Sequence, residues 1–494
     1  MNSTDSIIAI SGMLLLLGAL SNKVSSRFNL PILLLFLAAG VFAESILPFS
    51  GSDYASQINF FGIIAMCFIL FAGGSDTSPN EIRPVALRGV LLAVLGVIIT
   101  ALITGAGAYF LLKMQHSFIW CLLLGSLISS TDAAAVFAIL RGRGIGLSGT
   151  LKPLLELESG SNDPTAAFMT IAMIGCVTGS NTSGIMLAIP QIIYQLGGGI
   201  LAGFLFGKAT KWIFRVELEH NGLYFVASFS MILLCYSITQ LLGANGFMAC
   251  YVCGIILNSG RYNYQKTLNK FHNGVAWLMQ VGLFTVLGFL ASPKDLFNIS
   301  VWLPGIILGF LLIFVARPLA VFICLFKSGY NIREKLMISW VGIRGAAPIV
   351  LATFPLAAGV EDAQLMFRLI FFMVILSVTL QGWLLMPAAK WLKVARTVEA
   401  QPEPAPLELE VTESTSHQEM REFQITANNP MNGKNLAEIA LPTGVLITMV
   451  RRDKKLFPPR GDTVLKAGDS VLIMAEIPLL AEVESKYFKT ASTK

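Results

Sequence analysis

Thirteen apolar runs of roughly membrane-spanning length follow one another through the chain, separated by short polar loops. They lie near 6–21, 30–47, 57–74, 88–112, 117–140, 154–178, 184–207, 222–242, 244–259, 273–291, 300–326, 336–358 and 365–389. A bilayer core about 30 Å thick is crossed by a helix of about 20 apolar residues. Only structures that pair their own backbone polar groups can make that crossing. The sequence therefore predicts an all-α polytopic membrane protein of about 13 transmembrane helices. Composition agrees, with 55% hydrophobic and 13% charged residues, where a soluble domain carries about 25% charged. A soluble enzyme, a disordered protein and a nucleic-acid binder are excluded.

The few charges carry topology. An odd number of spans places the chain ends on opposite sides. With the N-terminus outside, nineteen basic residues fall on inside connections, against Lys113, Lys294 and Arg368 on outside ones. The positive-inside rule favours that orientation and a cytoplasmic tail. Residues 6–21 lack a basic leader and a clear cleavage site, so they read as a retained span. The net charge of +6 also divides along the chain. Residues 400–494 hold eleven basic and thirteen acidic residues, net −2, leaving +8 for residues 1–399.

The sequence thus predicts a transmembrane domain over 1–397, an acidic, Pro-containing linker over 398–418 and a small α/β domain over 419–492. GVLITMV and SVLIMAE alternate like half-buried strands, with turn signals at PPRGD and KAGD. The tail domain lacks a GxGxxG fingerprint, so no full Rossmann nucleotide site is expected in it. Arg451, Arg452, Lys454 and Lys455 either meet an anion or form a solvated hairpin face. The seven cysteines all lie in apolar runs and read as small buried hydrophobes. Cys250 and Cys253 form a CxxC with neither a second pair nor a nearby His, so no transition-metal site is expected.

Four segments break the apolar pattern. SLISSTDAAAVFAIL places Ser129, Ser130, Thr131 and Asp132 in the middle of a span. An Asp at mid-membrane depth costs roughly 2.5–3.5 kcal/mol on insertion scales. Hydroxyl-rich sequence also competes with the helix ladder, so the crossing is predicted to unwind there and face a cavity. LLELESGSNDPTAAFMT sets Glu158 four residues before Asn162, and Ser159 four before Asp163, on adjacent faces of one helix. Two carboxylates within five residues of one span point to function; Glu156, nearer the end, reads as interfacial. WVGIRGAAPIVLATFP places Arg344 among helix-weakening Gly342, Gly345 and Pro348. A buried Arg needs an anionic partner; Glu158, completed by Asn162, is the expected one. VARPLAVF carries Arg317 and Pro318, either kinking the span towards an acidic partner or making a purely structural salt bridge.

The first and third segments lie seven spans apart and so run in opposite directions, as expected for inverted repeats with two broken crossing helices and a midplane site. The four histidines fall at span ends, in loops or in the linker, so the carboxylates are expected to handle protons. A TVGYG-like filter and a phosphate-binding GxxxxGK[ST] loop are both missing, which disfavours a potassium-type channel and a primary pump. Every Lys lies outside the span cores, which disfavours an antiporter-like subunit of a larger proton-translocating complex. A cation-coupled symporter of organic anions fits the architecture, but its site would want donors at half-helix ends. Acceptors and carboxylates dominate here.

The segments STDAAAVFAIL, ELESGSNDPTA and GIRGAAPIVLA, with ANGFMACYVCGIIL and VARPLAVF, resemble the NhaP-type branch of monovalent cation:proton antiporters. The tail GKNLAEIALPTGVLITMVRRDKKLFPPRGDTVLKAGDSVLIMAE resembles a TrkA-C (RCK-C) regulatory domain. That pairing is similar to bacterial potassium/proton antiporters. The resemblance implies a secondary transporter, not an enzyme, that uses no cofactor. It implies one-for-one exchange of K+, or alternatively Na+, for H+ across the inner membrane, by an elevator-like homodimer among lipids. By the same resemblance, Asp163 binds the monovalent cation or the proton. Ser159 offers its hydroxyl, Thr131 a main-chain carbonyl, and Asp132 tunes the crossing. Glu158, Asn162 and Arg344 form a structural cluster. The resemblance also implies a small-molecule ligand for the tail, such as a cyclic dinucleotide. One departure is Ala72 in LFAGGSD, where many relatives have an acidic residue before the two glycines.

Overall fold

The computed structural model describes residues 32–46, 55–141, 145–147, 149–179, 188–216, 218–220, 222–259, 262, 264–291, 298–397, 418–426, 429–452 and 455–488, with Gly12 and Leu16. It divides into two units, Met1–Glu399 and Ala400–Lys494.

The first unit is helical. In chain order its main helices are α1 (Ile32–Ile46), α2 (Ala55–Asp76), α3 (Ala86–Leu111), α4 (Phe118–Leu127), α5 (Ala133–Arg141), α6 (Leu151–Val177) and α7 (Ala188–Ile213). They continue with α8 (Gly222–Leu241), α9 (Gly246–Asn258), α10 (Gln265–Leu290), α11 (Ile299–Cys324), α12 (Ile332–Trp340), α13 (Ala346–Ala357) and α14 (Ala363–Trp391). Among the described residues six helices are long and apolar enough to cross a membrane, namely α2, α3, α8, α10, α11 and α14. The 27-residue α6 has the length, but Glu156, Glu158, Asn162 and Asp163 make it too polar to count with them. Among the described residues, each apolar run from 30–47 onward is occupied by helix, either as one stretch or as two halves. The run 6–21 lies outside the described residues save Gly12 and Leu16.

Two helix sets make up this unit. The helices α3, α4, α5, α6, α11, α12, α13 and α14 pack mainly on one another, and α1, α2, α7, α8, α9 and α10 form a second set. The seam between them is carried by α13 against α2 and α10, and by α6 against α9. Within each set, paired glycines let backbones touch, as small residues do between membrane helices. A methyl on Gly74 would fall 2.2 Å from the Tyr251 carbonyl oxygen, and one on Gly254 2.3 Å from that of Phe71. Gly40 and Gly288 repeat this between α1 and α10, and Gly105 and Gly125 between α3 and α4. The second glycine of LFAGGSD therefore serves α2–α9 packing, beside a buried Ala72.

Both predicted weak points are real interruptions. Residues 128–132 are non-helical between α4 and α5, and residues 341–345 between α12 and α13. Immediately before Arg317, α11 passes through a π-helical turn over Leu312–Ala316, matched by another over Leu92–Gly96 in α3. A two-stranded ribbon was not legible in the sequence: β1 (Ile145–Leu147) pairs antiparallel with β2 (Ala395–Thr397). It joins the segment after α5 to the segment after α14, so these two ends share one side of the helical unit.

The second unit is a four-stranded antiparallel sheet in the order β3 (Gln418–Gln424), β6 (Ser470–Glu476), β4 (Leu446–Arg452), β5 (Lys455–Phe457). Helix α15 (Ile477–Val483) follows β6. Ile447, Val450, Val471, Ile473, Leu480 and Val483 belong to its separate core. Residues 398–417 of the expected linker lie outside the described residues.

Candidate functional site at the crossing of two interrupted helices

The two interruptions meet. The Asp132 backbone N–H donates to the Ile343 carbonyl at 2.8 Å, joining the break in one interrupted helix to the break in the other. A helix that stops inside a protein leaves carbonyls at one end and N–H groups at the other, with partial negative and positive charge. The two charged residues of the breaks answer these ends. Arg344 Nη1 donates to the Ser129 and Ser130 carbonyls, each at 2.6 Å, just past the end of α4. Asp132 packs against Gly345, the N-cap of α13, so closely that a methyl there would lie 2.0 Å from Asp132 Oδ2.

Helix α6 is tied to this crossing by its polar face. Ser159 Oγ donates to the Thr131 carbonyl at 2.9 Å and accepts from the Ala133 N–H at 3.0 Å. Asn162 Nδ2 donates to Thr131 Oγ1 at 2.6 Å. The Ser130 hydroxyl lies beside the Asp163 carboxyl, which also feels the charges of Asp132 and Arg344. Asp163 is partly exposed, whereas Glu158 is only 1% exposed. The two carboxylates of α6 therefore live in different environments: Glu158 is sealed and ion-paired, whereas Asp163 belongs to a half-buried residue and its Oδ1 is enclosed without a partner among the described residues.

The expected ion pair is corrected. Arg317, not Arg344, binds Glu158, with Nη1 to Oε1 at 2.5 Å, and a second nitrogen of Arg317 donates to the Ile338 carbonyl at 3.3 Å. The reason is supply and demand. The break after α4 leaves the Ser129 and Ser130 carbonyls unpaired within the helix, and Arg344 Nη1 donates to both of them. Arg317, buried just after the π-turn of α11, takes the carboxylate. Ser159 and Thr131 are likewise already bonded to each other rather than standing open. Sequence reading missed Ser377 and Gln381 of α14. Ser377 Oγ accepts from the Arg344 backbone N–H at 3.0 Å and donates to Gln381 Oε1. Gln381 Nε2 donates to the Trp340 carbonyl, at the end of α12, at 2.9 Å. Two polar residues four apart in an apolar span were the available signal.

Several buried polar atoms of this cluster have no hydrogen-bond partner among the described residues: Asp163 Oδ1, Asn162 Oδ1, Glu158 Oε2, Ser130 Oγ, and Nε and Nη2 of Arg344. Buried polar groups are ordinarily satisfied, so this concentration marks a place built for a polar guest. Four of these six atoms are oxygens, two of them from the carboxylates of Asp163 and Glu158, and of these two only Glu158 has an ion-pair partner among the described residues, in Arg317. Such donors suit a hard monovalent cation or a proton, and no group of His, Cys, Asp and Glu able to hold a metal ion occurs among the described residues.

In the tail, the two arginines expected either to meet an anion or to form a solvated hairpin face are held in ion pairs of the domain itself. Arg451 pairs with Glu422. Arg452 grips Asp469 with two nitrogens, Nε–Oδ1 at 2.8 Å and Nη2–Oδ2 at 2.6 Å. Both guanidiniums thus serve the sheet. Lys454 lies outside the described residues, and Lys455 is exposed on β5.

Two interrupted membrane helices crossing beside a carboxylate define an ion-coupled secondary transporter of the cation/proton antiporter fold. The chain belongs to the sodium/hydrogen exchanger family, whose transmembrane model matches residues 12–391. A TrkA-C domain model matches residues 420–487. Over 502 residues, all of this chain and 85% of the relative, it is 36% identical to a K(+)/H(+) antiporter NhaP2 of Shewanella sp. (strain MR-4). It is 34% identical, over all of this chain and 86% of the relative, to a K(+)/H(+) antiporter NhaP of Alkalimonas amylolytica. The solved sodium proton antiporter MjNhaP1 of Methanocaldococcus jannaschii shares the fold, with TM-score 0.66 and 23% identity over 77% of this chain and all of that one.

Proposed function

We propose that this chain exchanges K+ for H+ with Asp163 as the shared site. The carrying observation is the enclosed, unpartnered Oδ1 of the half-buried residue Asp163, set beside the crossing of two interrupted helices. An ionised carboxylate at that depth is costly without a partner. Either a proton or a cation removes the cost, and one carboxyl serves one of them at a time. Mutually exclusive occupancy with alternating access gives antiport, electroneutral at one for one. The K+ preference is supported by full-length relatives named K(+)/H(+) antiporters.

The two helix sets supply the moving parts. The set containing the site moves elevator-like against the other, in a homodimer of thirteen crossings per chain built from inverted repeats. The N-terminus lies outside, the tail lies on the cytoplasmic face of an inner membrane, and the TrkA-C domain regulates exchange by binding a nucleotide-like ligand.

In proteoliposomes, a pH dye should report proton movement on adding K+, and more weakly on adding Na+. Asp163→Asn should abolish it while the protein stays folded. Exchange retained in that variant would sink the assignment. Because a protonated carboxyl blocks cation entry, activity should rise with pH on the cation-loading side. A profile flat from about pH 6 to 9 would contradict the single-carboxyl mechanism.

A further inference from the structure

The seam between the two helix sets carries specific polar ties. Asn245 is the N-cap of α9 in the second set and only 5% exposed. Its Oδ1 accepts from the Met248 N–H at 3.0 Å, and its own N–H donates to the Gln195 carbonyl of α7 at 3.1 Å. These bonds fix it to its own set. Its remaining polar arm reaches across: Nδ2 donates to the Pro164 carbonyl at 2.8 Å. Pro164 immediately follows Asp163. At another point of the seam, Asn59 Nδ2 of α2 donates to Thr353 Oγ1 of α13 at 2.8 Å. Thr353 lies on the half-helix whose N-terminus faces Asp132. In both cases the donor is an asparagine of the second set, and the acceptor lies on an element that builds the site.

We propose that Asn245 and Asn59 are positioning residues, two pins that hold the site set in this register against the second set. They must release when the set moves. This rests on the alternating-access reading above and adds the residues that set its state balance. A capped, buried asparagine has little freedom to follow a sliding partner. When Pro164 moves along the seam, Nδ2 loses its acceptor in apolar surroundings, and that state loses one hydrogen bond relative to this one. The pins therefore bias which face of the membrane the site opens to, without touching the ion.

Asn245→Ser isolates this role, because serine caps a helix as well as asparagine does yet has no arm to reach Pro164. Thr353→Val removes the other acceptor at nearly constant shape. The readout is the apparent KM for K+ in right-side-out and in inside-out vesicles. Removing a pin depopulates the pinned state, and apparent affinity scales with the competent fraction. The KM should therefore rise on one face and fall on the other, by up to about fivefold per pin, the population shift one net hydrogen bond supports. Both variants should move in the same sense, because both pins hold one register. An unchanged KM on both faces, or a shift in the same direction on both, overturns the inference. Should Asn245→Ser fold poorly, Thr353→Val decides alone. Failure of the antiport reading is separately visible, since the unmodified chain would then show no K+-dependent proton movement.

Discussion

Glu158 and Arg317 illustrate what single residues do in this fold. Both are nearly sealed, at 1% and 3% exposure, and each would be an isolated charge without the other. Breaking a buried pair from one side costs about 3–5 kcal/mol, whereas replacing both partners together is often tolerated. Glu158→Gln or Arg317→Gln alone should therefore lower the thermal midpoint in detergent and the folded yield. The double variant should recover part of the loss. A double variant no better than either single one would rule out the pairing. Glu158, Asp163 and Arg344 were legible in the sequence because charges stand out in apolar runs. The partner of Glu158 was not, since it lies 159 residues away and depends on the register of α11 against α6.

At the level of elements, the interruptions after α4 and α12 were legible because hydroxyls and glycines replace helix formers there. Their mutual contact was not, since Asp132 to Ile343 is a backbone bond that side-chain chemistry does not announce. The β1–β2 ribbon escaped notice for a similar reason: three-residue strands have no readable period. The crossing predicts a sharp difference between two glycines. A methyl on Gly345 would fall 2.0 Å from Asp132 Oδ2, while one on Gly73 meets nothing within 4 Å. Gly345→Ala must shift Asp132 or the start of α13, and a displacement near 1 Å at a reaction site can cost on the order of a hundredfold in rate. Exchange per folded protein should fall accordingly in Gly345→Ala and stay near normal in Gly73→Ala. Equal activity in the two would show that the close packing of Asp132 on Gly345 is irrelevant to transport.

The whole molecule joins two units with separate cores, and the sequence announced both through the change from apolar runs to alternating strands. What it could not announce was how the basic residues of the tail are used: Arg451 and Arg452 looked available, but strand pairing brings Glu422 and Asp469 to them. That use predicts an acid sensitivity of the tail. Burial alone would raise the Asp469 carboxyl, but the Arg452 hydrogen bonds, the Lys466 N–H and both positive charges outweigh it and hold it below the ordinary carboxylate value. A folded-state value below the unfolded one of about 3.9 means that the folded tail binds the proton less well. The resulting stabilisation is fully present above that unfolded value and is lost as pH falls through the folded one. Hydrogen exchange of β6 in the intact protein should therefore stay slow from pH 7 down to about 4, after correction for intrinsic rates, and lose protection below it. Asp469→Asn should reduce β6 protection at neutral pH and flatten its acid dependence. An equally steep acid loss in that variant would assign the sensitivity to another carboxylate.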